Sequence, residues 1–245
     1  ASWHEHQQLG GFGMSNPTPS LHGLKAVAFD AYGTLFDVHA PMARLAGEIG
    51  PNAALVSELW RDKQLQYTWL RSLMQAYADF WQVTEDALDY ALQAHGLANA
   101  ELRDKLLALY RDLDAYEDAA PALSTLRERG IATAILSNGS PDMLQQAVAH
   151  AGFANLLDHV LSVDVAGIYK PDPRTYQLAV DAFGLPREQI GFVSANGWDV
   201  AGAAYFGLAV CHLNRFSRPA EHLPAKPLTV INSLSDFPDL LAPVA

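Results

Sequence analysis

The sequence predicts an α/β fold: a Rossmann-like, doubly wound parallel sheet with a helical cap inserted into it. Three observations carry this. Short apolar runs recur along the chain and alternate with longer stretches of helical pattern in its second half. Helix-start and helix-stop residues bracket those stretches. Between residues 39 and 118 the strand signal vanishes and only helical patterns remain.

The first twenty residues, "ASWHEHQQLGGFGMSNPTPS", lack the apolar stretch of a secretory signal and read as a leader or tag-like segment, with Met14 as a natural start. The first strand is "KAVAFD" (25–30). Helical stretches follow: "APMARLAGEIG", one long run over 52–82, "TEDALDYALQAHG" and "NAELRDKLLALYRDL", with Thr84 and Asn99 as expected N-caps. The later strands are "IATAILS" (131–137), "HVLSV" (159–163), "IGFVS" (190–194) and "LAVCHL" (208–213), all apolar enough for a sheet covered on both faces. Between them lie two helices with matching punctuation. Ser140, Pro141 and Gly152 bracket one; Asp172, Pro173 and Gly184 bracket the other. A closing strand and short helix fit the stretch "HLPAKPLTVINSLSDFPDLLAP". The expected division is a leader over 1–20, a core from 21–38 and 119–245, and a cap over 39–118. Since the insertion follows the end of the first strand, it is expected to cover the carboxyl edge of the sheet, where such folds place their sites.

Composition narrows the function. The chain has 245 residues and a formal charge of −11, which argues against nucleic acid or an anionic membrane as partner. No run reaches the ~18 apolar residues of a membrane span. A small anionic substrate would gain nothing from the overall field, so any anion site must be built locally from a few cations and backbone N–H groups. The lone cysteine, Cys211, excludes an internal disulfide and fits a reducing cytoplasm. There is no H-E-x-x-H pair, G-x-S-x-G elbow or G-x-G-x-x-G loop, so zinc-protease, serine-hydrolase and dinucleotide chemistry are poorly supported.

Four strand ends deliver polar residues that a parallel sheet brings to one edge. They are Asp30 and Thr34; Ser137 and Asn138; Lys170; and the stretch Ser194 to Asp199. Each alone has a plain structural reading: a turn for Ser137 and Asn138, a solvated lysine for Lys170, a first-turn helix acid for Asp199. Asp30 is harder to dismiss, because a carboxylate ending a buried strand needs a partner or a task. Lys170 could be that partner in a purely structural pair. Together the four ends favour a site.

"FDAYGTLFD", "SNGS", "YKPD" and "FVSANGWDVAGA" resemble the four motifs of the haloacid dehalogenase superfamily, and "WRDKQLQYTWLRSLM" resembles the L-2-haloacid dehalogenases within it. The likeness runs from Leu24 onward. It implies a hydrolase in which Asp30 attacks C2 of a short (S)-2-haloacid from the side opposite the halogen. An ester forms, the centre inverts, and water then attacks the Asp30 carboxyl carbon to release the (R)-2-hydroxy acid. Arg61 is implied as the halide partner, its delocalised guanidinium suiting a large soft anion, with Asn138 and Trp198 completing that pocket. Backbone N–H groups after Asp30, beginning at Ala31, and the Ser137 hydroxyl would hold the substrate carboxylate. Tyr32, Leu65 and Phe80 would wall the substituent, although Tyr32 and Phe80 fit equally as core aromatics. Asp199 is implied as the base or water-orienting group, helped by Asn196. Lys170 would keep Asp30 ionised and stabilise the oxyanion. Thr34, Ser194 and Tyr176 would support these groups by hydrogen bonds. A homodimer is implied by the same resemblance.

Phosphatases of this superfamily need Mg²⁺ beside the first aspartate, a second aspartate two residues on as acid/base, and an acid in the fourth motif. Here Tyr32 and Ala195 stand in those last two places. Asp30 with only the remote Asp199 and a nearby lysine makes a poor site for a hard cation, so no metal or other cofactor is expected. The competing readings are a Mg²⁺-dependent phosphatase of the same fold and a non-catalytic small-anion binding module. Two residues depart from the dehalogenase pattern. Asp62 replaces a common glutamine beside the halide arginine, where it would repel halide if it pointed inward. Gly197 replaces a common alanine and is expected to loosen its loop.

Overall fold

The computed structural model describes residues 19–241, so the expected leader, Met14 included, lies outside the described residues apart from its last two positions. The first strand, β1 (Ala26–Phe29), is buried along its whole length. The helices α1 (Ala40–Arg44), α2 (Ala46–Ile49), α3 (Ala53–Met74), α4 (Phe80–Ala94), α5 (Ala100–Arg111) and α6 (Ala119–Glu128) precede the next strand. Then come β2 (Ala132–Ser137), α7 (Pro141–Ala151), β3 (His159–Ser162), α8 (Pro173–Phe183), β4 (Ile190–Ser194), α9 (Gly197–Phe206), β5 (Ala209–Leu213), β6 (Thr229–Ile231) and α10 (Phe237–Leu240).

All six strands are parallel, in the order β3-β2-β1-β4-β5-β6. The chain starts in the middle of the sheet and winds outward both ways, the doubly wound α/β pattern expected from the alternating runs. Register matters for function. Phe29 of β1 is level with Ile135 of β2 and Val193 of β4. Asp30, Ser137 and Ser194 therefore leave the sheet at one edge.

Apolar packing follows from these layers. On one face Tyr176, Ala179, Phe192 and Val200 close over the sheet. On the other, Phe29, Leu35 and Phe36 share a continuous core with Trp60, Phe80 and Leu106 of the helical insertion. The insertion thus lies on the sheet.

Helix ends largely obey the expected punctuation. Asn99 caps α5 by accepting from the backbone N–H groups of Glu101 and Leu102 (2.9 and 3.2 Å). Asp172 does the same for α8 through Arg174 (2.9 Å). Ser140 occupies the N-cap position of α7 in extended conformation, but its side chain makes no capping bond.

Two expectations fail in the insertion. The long helix expected over 52–82 stops at Met74, where Gln75 turns left-handed (φ 55°). The next helix begins at Phe80 with Asp79 as its cap, accepting from Gln82 N–H at 2.9 Å. Thr84 is therefore no cap; it sits inside α4 and donates to Phe80 O (2.6 Å). The helical pattern does run through this break, but tertiary contacts override it. The Tyr77 hydroxyl donates to Asp164 (2.8 Å), the Tyr169 hydroxyl donates to Ala78 O, and Tyr169 N–H donates to the Ser72 hydroxyl (3.2 Å). The rings of Tyr77 and Tyr169 lie 5.0 Å apart. A helix continuing past Met74 would forfeit these bonds.

Candidate active site

Asp30 follows β1 and is 6% exposed. Its Oδ2 accepts from the Thr34 hydroxyl (2.9 Å), the Ser194 hydroxyl (3.3 Å) and Asn196 Nδ2 (2.7 Å). Its Oδ1 accepts from Lys170 Nζ (3.2 Å). Thr34 gains its angle from the tight turn after β1, where Leu35 and Phe36 N–H groups close onto Ala31 O (2.9 and 3.1 Å). Three donors on one oxygen and an ammonium on the other hold this buried carboxylate in one orientation.

Lys170 is as buried as any core residue, at 1%. Its ammonium bridges Asp30 and Asp199, with Nζ 3.0 Å from Asp199 Oδ2. The other Asp199 oxygen accepts from the Tyr176 hydroxyl (2.7 Å). Burial pushes the Asp199 carboxyl up to about 6, and the Lys170 ammonium restrains the rise. Burial also works against the lysine's own charge, yet Asp199 and Asp30 outweigh it and raise the ammonium above its ordinary range. Asn138 positions the lysine: its Oδ1 accepts from Lys170 N–H at 3.1 Å. Ser137 Oγ accepts from Gly139 N–H at 3.0 Å, holding the turn after β2.

Arg61 approaches from α3. Its guanidinium donates to Gln64 Oε1 (2.8 Å), Tyr32 O (3.1 Å) and Asn196 Oδ1 (3.2 Å). Each acceptor is uncharged, and none of the ion pairs among the described residues involves Arg61. Asn196 is the hinge of the arrangement, its amide nitrogen on Asp30 and its carbonyl on Arg61. Gln64 is in turn fixed by donating to the Thr84 hydroxyl (2.8 Å) and the Tyr110 hydroxyl (3.0 Å). Outside Arg61 opens a cavity of about 510 Å³, walled by Arg61, Leu65, Trp69, Asn196, Trp198 and Arg215 among others. The indoles of Trp69 and Trp198 meet edge to face, centroids 5.3 Å apart.

The structure thus gathers Asp30, Thr34, Lys170, Ser194, Asn196, Asp199 and Tyr176 into one hydrogen-bonded group, with Arg61 joined through Asn196. Tyr32 and Phe80 pack against each other (5.5 Å) in an aromatic cluster that includes Tyr110. Leu65 and Trp198 face the outer cavity, and Asn138 accepts from Lys170 N–H through Oδ1. Asp62 lines the same cavity, exposed, while the Arg61 guanidinium takes other acceptors. Gly197 lies at a helix start beside Glu221. It opens α9, and a Cβ there would lie 2.6 Å from Glu221 Cγ, so the glycine makes room for that side chain.

Gln64, Trp69 and Arg215 were not legible as site residues. For the first two a signal existed: they fall three and eight positions after Arg61, on the same face of α3. Among the described residues no cluster of three His, Cys, Asp or Glu side chains could hold a metal ion.

The site is thus a carboxylate–ammonium group at the carboxyl ends of the central strands, the edge where such sheets bind ligands. Residues 24–207 match the family described as haloacid dehalogenase-like hydrolase. Closer relatives narrow the class. The chain is 46% identical to (S)-2-haloacid dehalogenase 4A of Burkholderia cepacia, over 91% of this chain and 96% of the relative. It is 45% identical to (S)-2-haloacid dehalogenase 1 of Pseudomonas sp. strain CBS-3, over 89% and 96%. The L-2-haloacid dehalogenase of Xanthobacter autotrophicus, solved with chloropropionic acid covalently bound, superposes with a TM-score of 0.83 at 38% identity, covering 89% of this chain and 98% of that one. The chain belongs to the (S)-2-haloacid dehalogenase family.

Proposed function

We propose that this enzyme hydrolyses short-chain (S)-2-haloacids to (R)-2-hydroxy acids and halide, through an ester on Asp30 and with inversion at C2. The observation that carries the reading is the pairing of two opposite charges at one strand edge. A buried, four-donor carboxylate at Asp30 stands one residue, Asn196, away from a guanidinium whose acceptors are all neutral. The carboxylate supplies the nucleophile and the guanidinium supplies a place for the departing anion. The covalently bound acid in the Xanthobacter relative supports the ester.

In the first step Asp30 displaces the halide from C2, and Arg61 exchanges one of its neutral acceptors for the leaving ion. Backbone N–H groups from Ala31 onward and the Ser137 hydroxyl hold the substrate carboxylate. Asn138 and Trp198 complete the halide pocket beside Arg61, while Tyr32, Leu65 and Phe80 wall the substituent and exclude water from the reacting carbon. In the second step water, oriented by Asn196, attacks the ester carbonyl beside Lys170; its proton is relayed by the ammonium to Asp199 and passes to the C2 oxygen as the tetrahedral oxyanion collapses, freeing the hydroxy acid and restoring Asp30. Asp199 has no exposed surface and both its oxygens are occupied. It acts as the base through Lys170, and as the counter-charge that keeps the ammonium in place while the oxyanion forms. Thr34, Ser194 and Tyr176 fix the geometry of these groups. The ammonium stands between the two aspartates, where a hard cation would otherwise draw on both, and this favours dehalogenation over magnesium-dependent phosphate chemistry.

The insertion over 39–118 serves as the cap, and 21–38 with 119–245 as the core. A homodimer through α3 and α4 is supported by the exposed Leu70, Leu73, Met74 and Tyr90 on those helices. A reducing cytoplasmic location fits the single buried thiol, Cys211.

The test is halide release from chloro-, bromo- and fluoroacetate and from both 2-chloropropionate enantiomers, with and without EDTA. The expected result is turnover of the (S) enantiomer unchanged by EDTA and abolished by Asp30→Asn. Turnover that survives that substitution would sink the ester mechanism, and magnesium-dependent release of phosphate from a phosphomonoester would favour the phosphatase.

A further inference from the structure

The end of β5 delivers a cation that belongs to none of the four motif stretches. Arg215 lies two residues past Leu213, with a side chain only 11% exposed. Its Nη1 and Nη2 donate to the two oxygens of Asp118, each at 2.8 Å, and Nη2 also donates to the backbone carbonyl of Thr34 at 3.0 Å. The guanidinium lies 4.0 Å over the Tyr116 ring. Asp118 is anchored from a third direction, because Oδ2 accepts from the Ser233 hydroxyl (3.0 Å) and Leu234 N–H (2.8 Å).

Thr34 is where this network meets the nucleophile. Its hydroxyl donates to Asp30 Oδ2 (2.9 Å) and accepts from Ala195 N–H (2.8 Å), and the residue is fully buried. The Thr34 carbonyl is thus gripped by Arg215 while the hydroxyl of the same residue aims the Asp30 carboxylate. We propose that Arg215 and Asp118 are a positioning pair for the reaction: they set the attack angle of Asp30 through Thr34, without touching substrate.

The inference rests on the dehalogenase reading. Its physical content is geometric. A fork of donors on a planar guanidinium serves Asp118 bidentately and still spares a bond for Thr34, which the point charge of a lysine cannot reproduce. Losing the grip frees the 31–36 turn to shift by a fraction of an ångström, and in-line displacement is sensitive to shifts of that size.

The test uses the full chain, with halide release from (S)-2-chloropropionate and thermal melting for Arg215→Lys, Arg215→Gln, Asp118→Asn and the double variant Arg215→Gln/Asp118→Asn. Expected is a kcat lower by about tenfold to a hundredfold with KM within about twofold, the Lys variant lying between Gln and wild type. The double variant is expected to be no slower than the slower single one, because both act through one carbonyl. Four results overturn the proposal: unchanged kcat in folded variants, a change in KM alone (which would make Arg215 a substrate contact), losses that multiply, or failure of every variant to fold, which would make the pair a stability element. Absence of halide release by the wild-type enzyme would instead strike the dehalogenase reading.

Discussion

Replacing Lys170 with methionine should both destabilise and silence this enzyme, and acid should partly reverse the loss of stability. The ammonium is the only cation bonded to Asp30 or Asp199 among the described residues, at 3.2 and 3.0 Å. Both carboxylates are buried, at 6% and 0% exposure. Removing one partner of a buried ionic group costs about 3–5 kcal/mol. At ~2–4 °C per kcal/mol for a chain of this size, melting should fall by roughly 6–20 °C at pH 7. Two uncompensated carboxylates cannot both stay ionised, so one takes a proton and its pKa in the folded state rises above the unfolded value. A raised carboxyl gives stability that is full below its unfolded pKa of about 4 and is lost as pH rises through the folded value. The melting deficit of Lys170→Met should therefore shrink between pH 7 and pH 4. Halide release should drop by about a thousandfold, since the proton compromises the nucleophile and the oxyanion loses its cation. The assay pairs calorimetric melting across pH with halide release at pH 8. A folded variant with kcat within tenfold of wild type, or a melting deficit independent of pH, refutes the reasoning.

Arg61→Lys should lower kcat by about a hundredfold in the same halide assay, because a point charge cannot hold Tyr32 O, Gln64 and Asn196 together and still accept an anion. The carboxyl of Asp199 is raised to about 6, so its contribution to stability is complete below about pH 4 and is lost as pH climbs through 6. Chemical denaturation across pH 4–7 should show that downward slope in wild type relative to Asp199→Asn, and parallel curves would contradict it. Gln75 holds φ at 55°, a region where glycine bears no Cβ penalty. Gln75→Gly should raise unfolding free energy by about 0.5–1 kcal/mol in urea titration with activity unchanged; a destabilised variant would show that the Gln75 side chain contributes more than its backbone costs.

Much of the site was readable because parallel sheets are simple at their edges. Polar residues that end the runs of a parallel sheet converge at one edge, so Asp30, Lys170 and Asp199 are legible as a group in the sequence. Less legible was what tertiary contact decides. The break at Gln75 has no glycine or proline to announce it, and it follows from bonds made to Tyr169 and Asp164, some ninety residues away. Gln64 looks like any polar helix residue until its amide is seen between Thr84 and Tyr110. Arg215 was overlooked because it follows a fifth strand end that carries no motif, although the same edge rule applies to it. The part of Asp199 changed most: a sequence shows an acid near a nucleophile but not that its two oxygens are both taken.

The clasp that ends α3 has a bearing on turnover. Tyr169, which takes the Ser72 hydroxyl and Ala78 carbonyl of the insertion, is the residue immediately before Lys170. One stretch of backbone therefore fastens the insertion and carries the ammonium that lies between Asp30 and Asp199, so the fit of the cap and the placement of the charge that turnover needs rest on two adjacent residues.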